Sequence, residues 1–104
     1  MRGQVALVTG AGIGLGRATS LALADVGYRV MVTDVLPAEG RSVVAEIIGR
    51  GGAAEFHALD VTDTATANAV VEKIQDQYGA ISALVREAGS GRTLRLGHVE
   101  EAGA

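Results

Sequence analysis

The sequence of 104 residues contains no cysteine and no tryptophan. Without thiols it has no disulfide framework, no thiolate metal site and no cysteine nucleophile. One phenylalanine and two tyrosines are its whole aromatic content, so any core must be assembled from Ala, Val, Leu and Ile, a composition that suits α/β layers. Basic charge is also short, with nine Lys and Arg against twelve Asp and Glu for a formal net charge of −3. That balance leaves no electrostatic footprint for nucleic acid or for an anionic membrane surface. The apolar runs fall far below the ~20 residues that a membrane helix needs. Met1-Arg2-Gly3 leads straight into what reads as a strand rather than into a signal-peptide core. The expectation is a soluble cytoplasmic protein whose partners include neither nucleic acid nor membrane. At this length the chain makes one small domain, able to bury roughly 60 to 70% of its unfolded surface.

What the chain has in quantity is glycine, and its densest cluster lies in Gln4 to Arg17, QVALVTGAGIGLGR. Val5, Ala6, Leu7 and Val8 have the unbroken apolarity of a strand buried on both faces, as in a parallel sheet. Gly10, Gly12, Gly14 and Gly16 follow. They permit a tight turn and let main-chain N–H groups approach a ligand with no Cβ in the way. A helix starting near Gly14 aims its free N–H groups and the positive end of its dipole at the same spot, where a pyrophosphate fits. Asp34, closing a second apolar run, stands about 20 residues beyond Gly14, the distance at which a carboxylate meets ribose hydroxyls. The strict G-x-G-x-x-G string is absent, and the pattern present is T-G-x-x-x-G-x-G from Thr9.

Taken in order, Gly14 to about Val26 has helical spacing through Leu15, Ala18, Leu21, Ala22 and Val26, and Gly27 is placed to end it in a left-handed turn. Residues 28–34 read as a second strand. Pro37 suits the first turn of a helix that runs to about Arg50 and stops at Gly51-Gly52. Ala53 to Leu59 reads as a third strand, less apolar and so nearer a sheet edge. Asp63 or Thr62 is placed to cap a helix carrying Ala67, Val70, Val71, Ile74 and Tyr78 on one face and ending at Gly79. Ala80 to Val85 is the fourth strand. Strands alternating with helices of this length require parallel pairing and right-handed crossovers. The expected fold class is α/β, Rossmann-like, a partial doubly wound sheet of about four parallel strands in order 3-2-1-4 with helices on both faces. Residues 1–89 form this half-domain, and residues 90–104 read as loop and tail with a helical turn beginning near His98.

Four features in sequence, TGAGIGLGR at 9–17, Asp34 after the second strand, Asp60-Val61 opening DVT, and Ala88-Gly89 after the fourth strand, resemble the classical short-chain dehydrogenase/reductase family. The likeness covers roughly residues 3 to 89. It implies a nicotinamide dinucleotide site, in which Gly10, Gly12, Gly14 and Gly16 line the pyrophosphate turn and Ile13 and Leu15 offer main-chain contacts. By the same resemblance Asp34 holds the adenosine ribose hydroxyls, Asp60 and Val61 flank the adenine, and Ala88 and Gly89 lie beside the nicotinamide half. Thr9 is expected to be structural, tying the turn to the neighbouring strand.

Asp34 also selects the cofactor. A 2′-phosphate beside it meets like-charge repulsion of about 1 kcal/mol in water and about 4 kcal/mol at a semi-buried effective dielectric, or roughly 5- to 1000-fold against NADP. Family members that prefer NADP tend to carry a basic residue just before the second motif glycine or just after the acid. Those places hold Ile13 and Val35, so NAD is the expected cofactor. Arg17 follows the last glycine and reads as a helix-surface residue.

The sequence departs from the family at two points. Arg86-Glu87 replaces the usual Asn-Asn before Ala88-Gly89, and neither side chain reproduces a compact amide donor and acceptor. The family's catalytic Ser and Tyr-x-x-x-Lys have no match: Val occupies position 32, four after Tyr28, and Ser occupies position 82, four after Tyr78. No catalytic residue is therefore assigned, and the chain alone is expected to be inactive. His57 and His98 have no second ligand at metal spacing, so no metal is expected. Glu100-Glu101 reads as a solvated helix start, and Arg92 and Arg95 as part of a polar tail. Two functions compete, the NAD-binding portion of an oxidoreductase acting on an alcohol or ketone, and a non-catalytic dinucleotide-binding or self-associating module. Ending a 3-2-1-4 sheet after its fourth strand leaves that strand as an open apolar edge, so self-association is expected there.

Overall fold

A computed structural model describes residues 3–87 and 94–97. The elements run β1 (Val5–Val8), α1 (Gly14–Asp25), β2 (Arg29–Asp34), α2 (Pro37–Gly49), β3 (Ala53–Ala58), α3 (Thr64–Tyr78), β4 (Ile81–Glu87) and β5 (Leu94–Gly97). Four parallel strands lie in the order β3-β2-β1-β4. This is the expected Rossmann-like half of a doubly wound sheet.

The helix ends follow from local chemistry. After α1, the Gly27 N–H donates to the Ala24 carbonyl and the Tyr28 N–H to that of Leu23. After α2, Gly51 and Gly52 repeat this pattern on Ile48 and Ile47. Both are Schellman closures, which need a left-handed residue at the first position past the cap, and Gly27 and Gly51 supply it with φ of 106° and 90°. At the other end of α3, the Asp63 carboxylate accepts from the Thr66 N–H at 3.2 Å and the Thr66 hydroxyl at 2.8 Å. Asp63, of the two candidates, is the cap.

Apolar side chains fill both faces of the sheet. Val8, Val30, Val32 and Val85 join Leu21 and Ala24 of α1 and Val43 and Ile47 of α2 in one cluster. Val5, Leu7, Met31 and Ile81 meet Ile74 of α3 in the other. Two-sided burial explains why β1 and β2 are apolar without alternation. The edge strand β3 is only half-buried. There Gly40 of α2 rests against the Phe56 ring, where a Cβ would lie 2.2 Å from a ring carbon.

One expectation is corrected. Residues 94–97, read as part of a loop, form β5, which pairs antiparallel with β4 from Leu84↔Gly97 to Glu87↔Leu94. The outer edge of β4 is thus covered over those residues, and the open edge on which self-association through β4 was argued is not there. The short Leu-Arg-Leu alternation was hidden among glycines, and an antiparallel return needs no helical crossover to announce it. The expected helical turn near His98, and Arg92, Glu100 and Glu101, lie outside the described residues. No described helix is long and apolar enough to cross a membrane.

Candidate functional site

The C-terminal ends of β1, β2 and β3 converge on one side of the sheet. The Thr9 N–H donates to the Val85 carbonyl at 3.0 Å, tying the end of β1 to β4. The Ala11 N–H donates to the Thr33 carbonyl at 3.0 Å, tying the start of the glycine turn to β2. The buried Thr33 hydroxyl donates back to the Val8 carbonyl at 2.7 Å. At the end of β2, the Leu59 N–H donates to the Asp34 carbonyl, which sets Asp60 and Val61 beside Asp34.

Between these anchors the chain turns through Gly10 and Gly14 at φ of 60° and 58°, a left-handed region that other residues enter at a cost. Gly16, in the first turn of α1, packs so closely on the preceding turn that a Cβ would lie 2.0 Å from the Gly10 carbonyl oxygen. This contact brings the helix start onto the turn itself. Ile13 stands at the N-cap of α1 and offers no side-chain acceptor, and no acidic residue lies in the first turn. The first N–H groups of the helix, at its positive dipole end, therefore have neither a capping side chain nor a first-turn acid to compensate them.

Asp34 is 7% exposed. Its carboxylate accepts from the Gly12 N–H at 2.8 Å and from the Leu36 N–H at 3.1 Å. The acid expected 20 residues along is thus in hydrogen-bond contact with the glycine turn. The residues that neighbour the turn, Asp34 and Asp60 in the chain include exposed apolar side chains: Ile13, Leu15, Val35, Leu36 and Val61. Exposed aliphatic residues in the segments that carry main-chain donors and one carboxylate suit a ligand with both apolar and polar parts. Asp60 is turned toward its own loop, its Oδ1 accepting from the Thr62 N–H at 2.9 Å and the Thr62 hydroxyl at 2.6 Å. Those bonds, the hydroxyl first, hold its carboxyl below the usual aspartate value.

Arg17, the nearest cation in sequence, is engaged elsewhere. Its guanidinium meets Glu46 at 2.5 Å, and Glu46 also faces Arg50, which pairs with Asp25 at 3.0 Å. This four-member chain laces the outer surfaces of α1 and α2 and has no local signal in the sequence as a whole, since two of its three pairings join residues 25 and 29 positions apart. Arg86 is exposed on β4, so its charge is solvated where the amide was expected. Ala88 and Gly89 lie outside the described residues. His57 contacts Glu55 at 2.8 Å, and Glu55 also accepts from the Tyr78 hydroxyl at 2.7 Å. No group of three metal-ligating side chains occurs among the described residues.

A cleft of about 460 Å³ opens at the opposite end of the strands. Its lining includes Gly3, Arg29, Arg50 and Ala53, at or before the first residues of the strands. Arg50 there is neutralised by Asp25 and Glu46. In open parallel sheets ligands gather at the carboxyl ends of strands, and the glycine turn with Asp34 lies at that end.

Comparison with known proteins agrees with this geometry. The family model for short chain dehydrogenase matches residues 4–102. The chain belongs to that family. The probable oxidoreductase EphD of Mycobacterium tuberculosis is 39% identical over 89 residues, covering 86% of this chain and 15% of that protein. The 3-oxoacyl-acyl-carrier-protein reductase FabG of Thermotoga maritima is 38% identical over 101 residues, covering 97% of this chain and 41% of that protein. Among solved structures, a metagenomic short-chain oxidoreductase in complex with NADP superposes with a TM-score of 0.79 at 37% identity, covering 81% of this chain and 38% of that one. The chain therefore spans well under half the length of these relatives.

Proposed function

We propose that this short chain dehydrogenase family member is the NAD-binding portion of an oxidoreductase acting on an alcohol or ketone. The observation that carries the reading is the Asp34 carboxylate held against the glycine turn, directly before the uncapped start of α1. The cradle fits a dinucleotide because Gly16 and Gly10 leave no room for a side chain between helix and turn. In this reading Gly10, Gly12, Gly14 and Gly16 receive the pyrophosphate and Ile13 and Leu15 border it. Asp34 accepts from the ribose hydroxyls, and Asp60 and Val61 border the adenine. Ala88 and Gly89 are assigned to the nicotinamide side on family resemblance alone. The bound dinucleotide supplies the hydride carrier, and this chain's residues bind and orient it.

The preference for NAD rests on Asp34 and on the absence of a basic side chain at Ile13 and Val35, with Arg17 paired to Glu46. A relative bound to NADP makes that preference the point to test. Titration calorimetry on the full chain is expected to show NAD binding that weakens at least tenfold in Asp34→Ala, since a hydrogen bond to a charged group contributes about 1.5–3 kcal/mol. NADP binding as tightly as NAD would overturn the role given to Asp34.

A second reading, a non-catalytic binding module that self-associates, is favoured by the edge position of β3, whose six residues pair, among the described residues, on one side only with β2. Sedimentation of the chain across a wide concentration range separates the two. A monomer throughout removes the second reading.

A further inference from the structure

The Asp34 carboxylate makes two main-chain hydrogen bonds within the protein, and they join segments that otherwise only abut. One oxygen accepts from Gly12, in the middle of the glycine turn, and the other from Leu36, at the N-cap of α2. Gly12 itself is pressed against the first turn of α2. A Cβ there would lie 2.9 Å from the Glu39 Cβ, 3.0 Å from Asp34 Oδ2 and 3.1 Å from the Gly40 nitrogen. The neighbouring amide, Ala11, is held by the Thr33 carbonyl. Two consecutive amides of the turn are thus fixed by two consecutive residues of β2.

We infer that Asp34 is a positioning residue, latching the glycine turn to the entrance of α2 before any cofactor arrives. The latch gives a purpose to the fit beyond ligand contact. A carboxylate offers about four lone-pair sites, of which the main chain uses two, so hydroxyl donors can be accepted without releasing the turn. A turn already in its bound shape spares the ligand the cost of ordering it. The inference rests on the reading of this turn as the cofactor cradle only for that last step, since the latch itself is a property of the free chain.

The discriminating change is Asp34→Asn. An amide side chain has one acceptor oxygen, and its NH2 group cannot accept from a second N–H, so one of the two main-chain bonds must fail. Hydrogen exchange on the cofactor-free full chain reads this directly. In the wild type, the amides of Gly12 and Leu36 are expected to exchange at least tenfold more slowly than an unbonded loop amide. In Asp34→Asn at least one should speed up by about 10- to 100-fold, the ratio set by the usual strength of a hydrogen bond to a charged group. Met31 and Val32 should be unchanged, which controls for global loosening.

Rapid exchange at both Gly12 and Leu36 in the wild type overturns the latch whatever the variant does, and so keeps the test decisive if Asp34→Asn does not fold. Unchanged exchange in a folded Asp34→Asn that binds NAD more weakly also overturns it, because the carboxylate then acts on the ligand alone. Accelerated exchange in Asp34→Asn together with a wild type that binds no NAD supports the latch and removes the cofactor reading instead.

Discussion

Replacing Gly16 by alanine puts the packing of helix α1 on the turn to a quantitative test. On propensity alone the change stabilises, since alanine is better than glycine inside a helix by about 1 kcal/mol. Position 16 has no room for the gain. The new Cβ would sit 2.0 Å from the Gly10 carbonyl oxygen, 2.8 Å from its carbon and 3.0 Å from the Ala11 Cα. These are backbone atoms that cannot rotate away, so the helix start and turn must separate by about 1 Å. Overpacking of this kind costs typically ~1–3 kcal/mol and more where the backbone moves. Taking ~3 kcal/mol of strain against ~1 kcal/mol of propensity leaves a net loss near 2 kcal/mol, or about 10 °C in Tm for a domain of this size. Gly49 is the matched control. It lies in α2, exposed, with nothing within 4 Å of its prospective Cβ. There the same change should stabilise by ~0.5–1 kcal/mol and raise Tm by a few degrees. Thermal unfolding followed by circular dichroism measures both. If Gly16→Ala melts at or above the wild type, the close approach of helix and turn is wrong.

Two further perturbations follow from the described hydrogen bonds. Thr33→Val keeps the shape and removes the buried hydroxyl that donates to the Val8 carbonyl. It should lower stability in urea unfolding by about 1–2 kcal/mol, and an unchanged midpoint would show that this carbonyl is satisfied without it. Asp63 caps α3, and the bonds from Thr66, the hydroxyl first and then the main-chain N–H, hold its carboxyl below the usual aspartate value. A pKa lower in the folded chain contributes stability that is present above the unfolded value and is lost as pH falls through the folded one. Asp63→Ala should therefore melt below the wild type at neutral pH. The gap should close as pH falls below about 4, with Asp63→Asn intermediate because it keeps one acceptor. A gap that persists at acid pH would mean that ionisation contributes nothing to the cap.

The elements that were legible in the sequence are those whose signals are local. The run of apolar residues in β1, the proline that opens α2 and the glycines at 27, 51 and 79 each act within a few residues, and their physics is complete in that window. The third strand was read as an edge from its weaker apolarity, and β3 is the edge. What could not be read depends on partners distant in the chain. Leu94–Gly97 is a strand because β4 offers it a ladder, and its own residues signal this weakly. Asp34 was recognisable as an acid at the right spacing, whereas its bond to Gly12, 22 positions away, required knowing that α2 starts against the glycine turn. The ion-pair chain from Arg17 to Asp25 needed the relative placement of α1 and α2.

The double burial of β1 and β2 carries a consequence for how the chain finds its alignment. In a sheet with one wet face, a slip of one residue is forbidden because it turns every apolar side chain into water. A strand such as VALV or VMV, enclosed on both sides, could slide by one position and remain apolar throughout. What distinguishes the correct alignment is polar and sits at the ends of the strands: the Thr33 hydroxyl that must find the Val8 carbonyl, and the Asp34 carboxylate that must find the Gly12 amide. Thr33 and Asp34, at the end of β2, are thereby also the pins that tell neighbouring strands where to stop, so a homologue that altered both would forfeit its alignment signal.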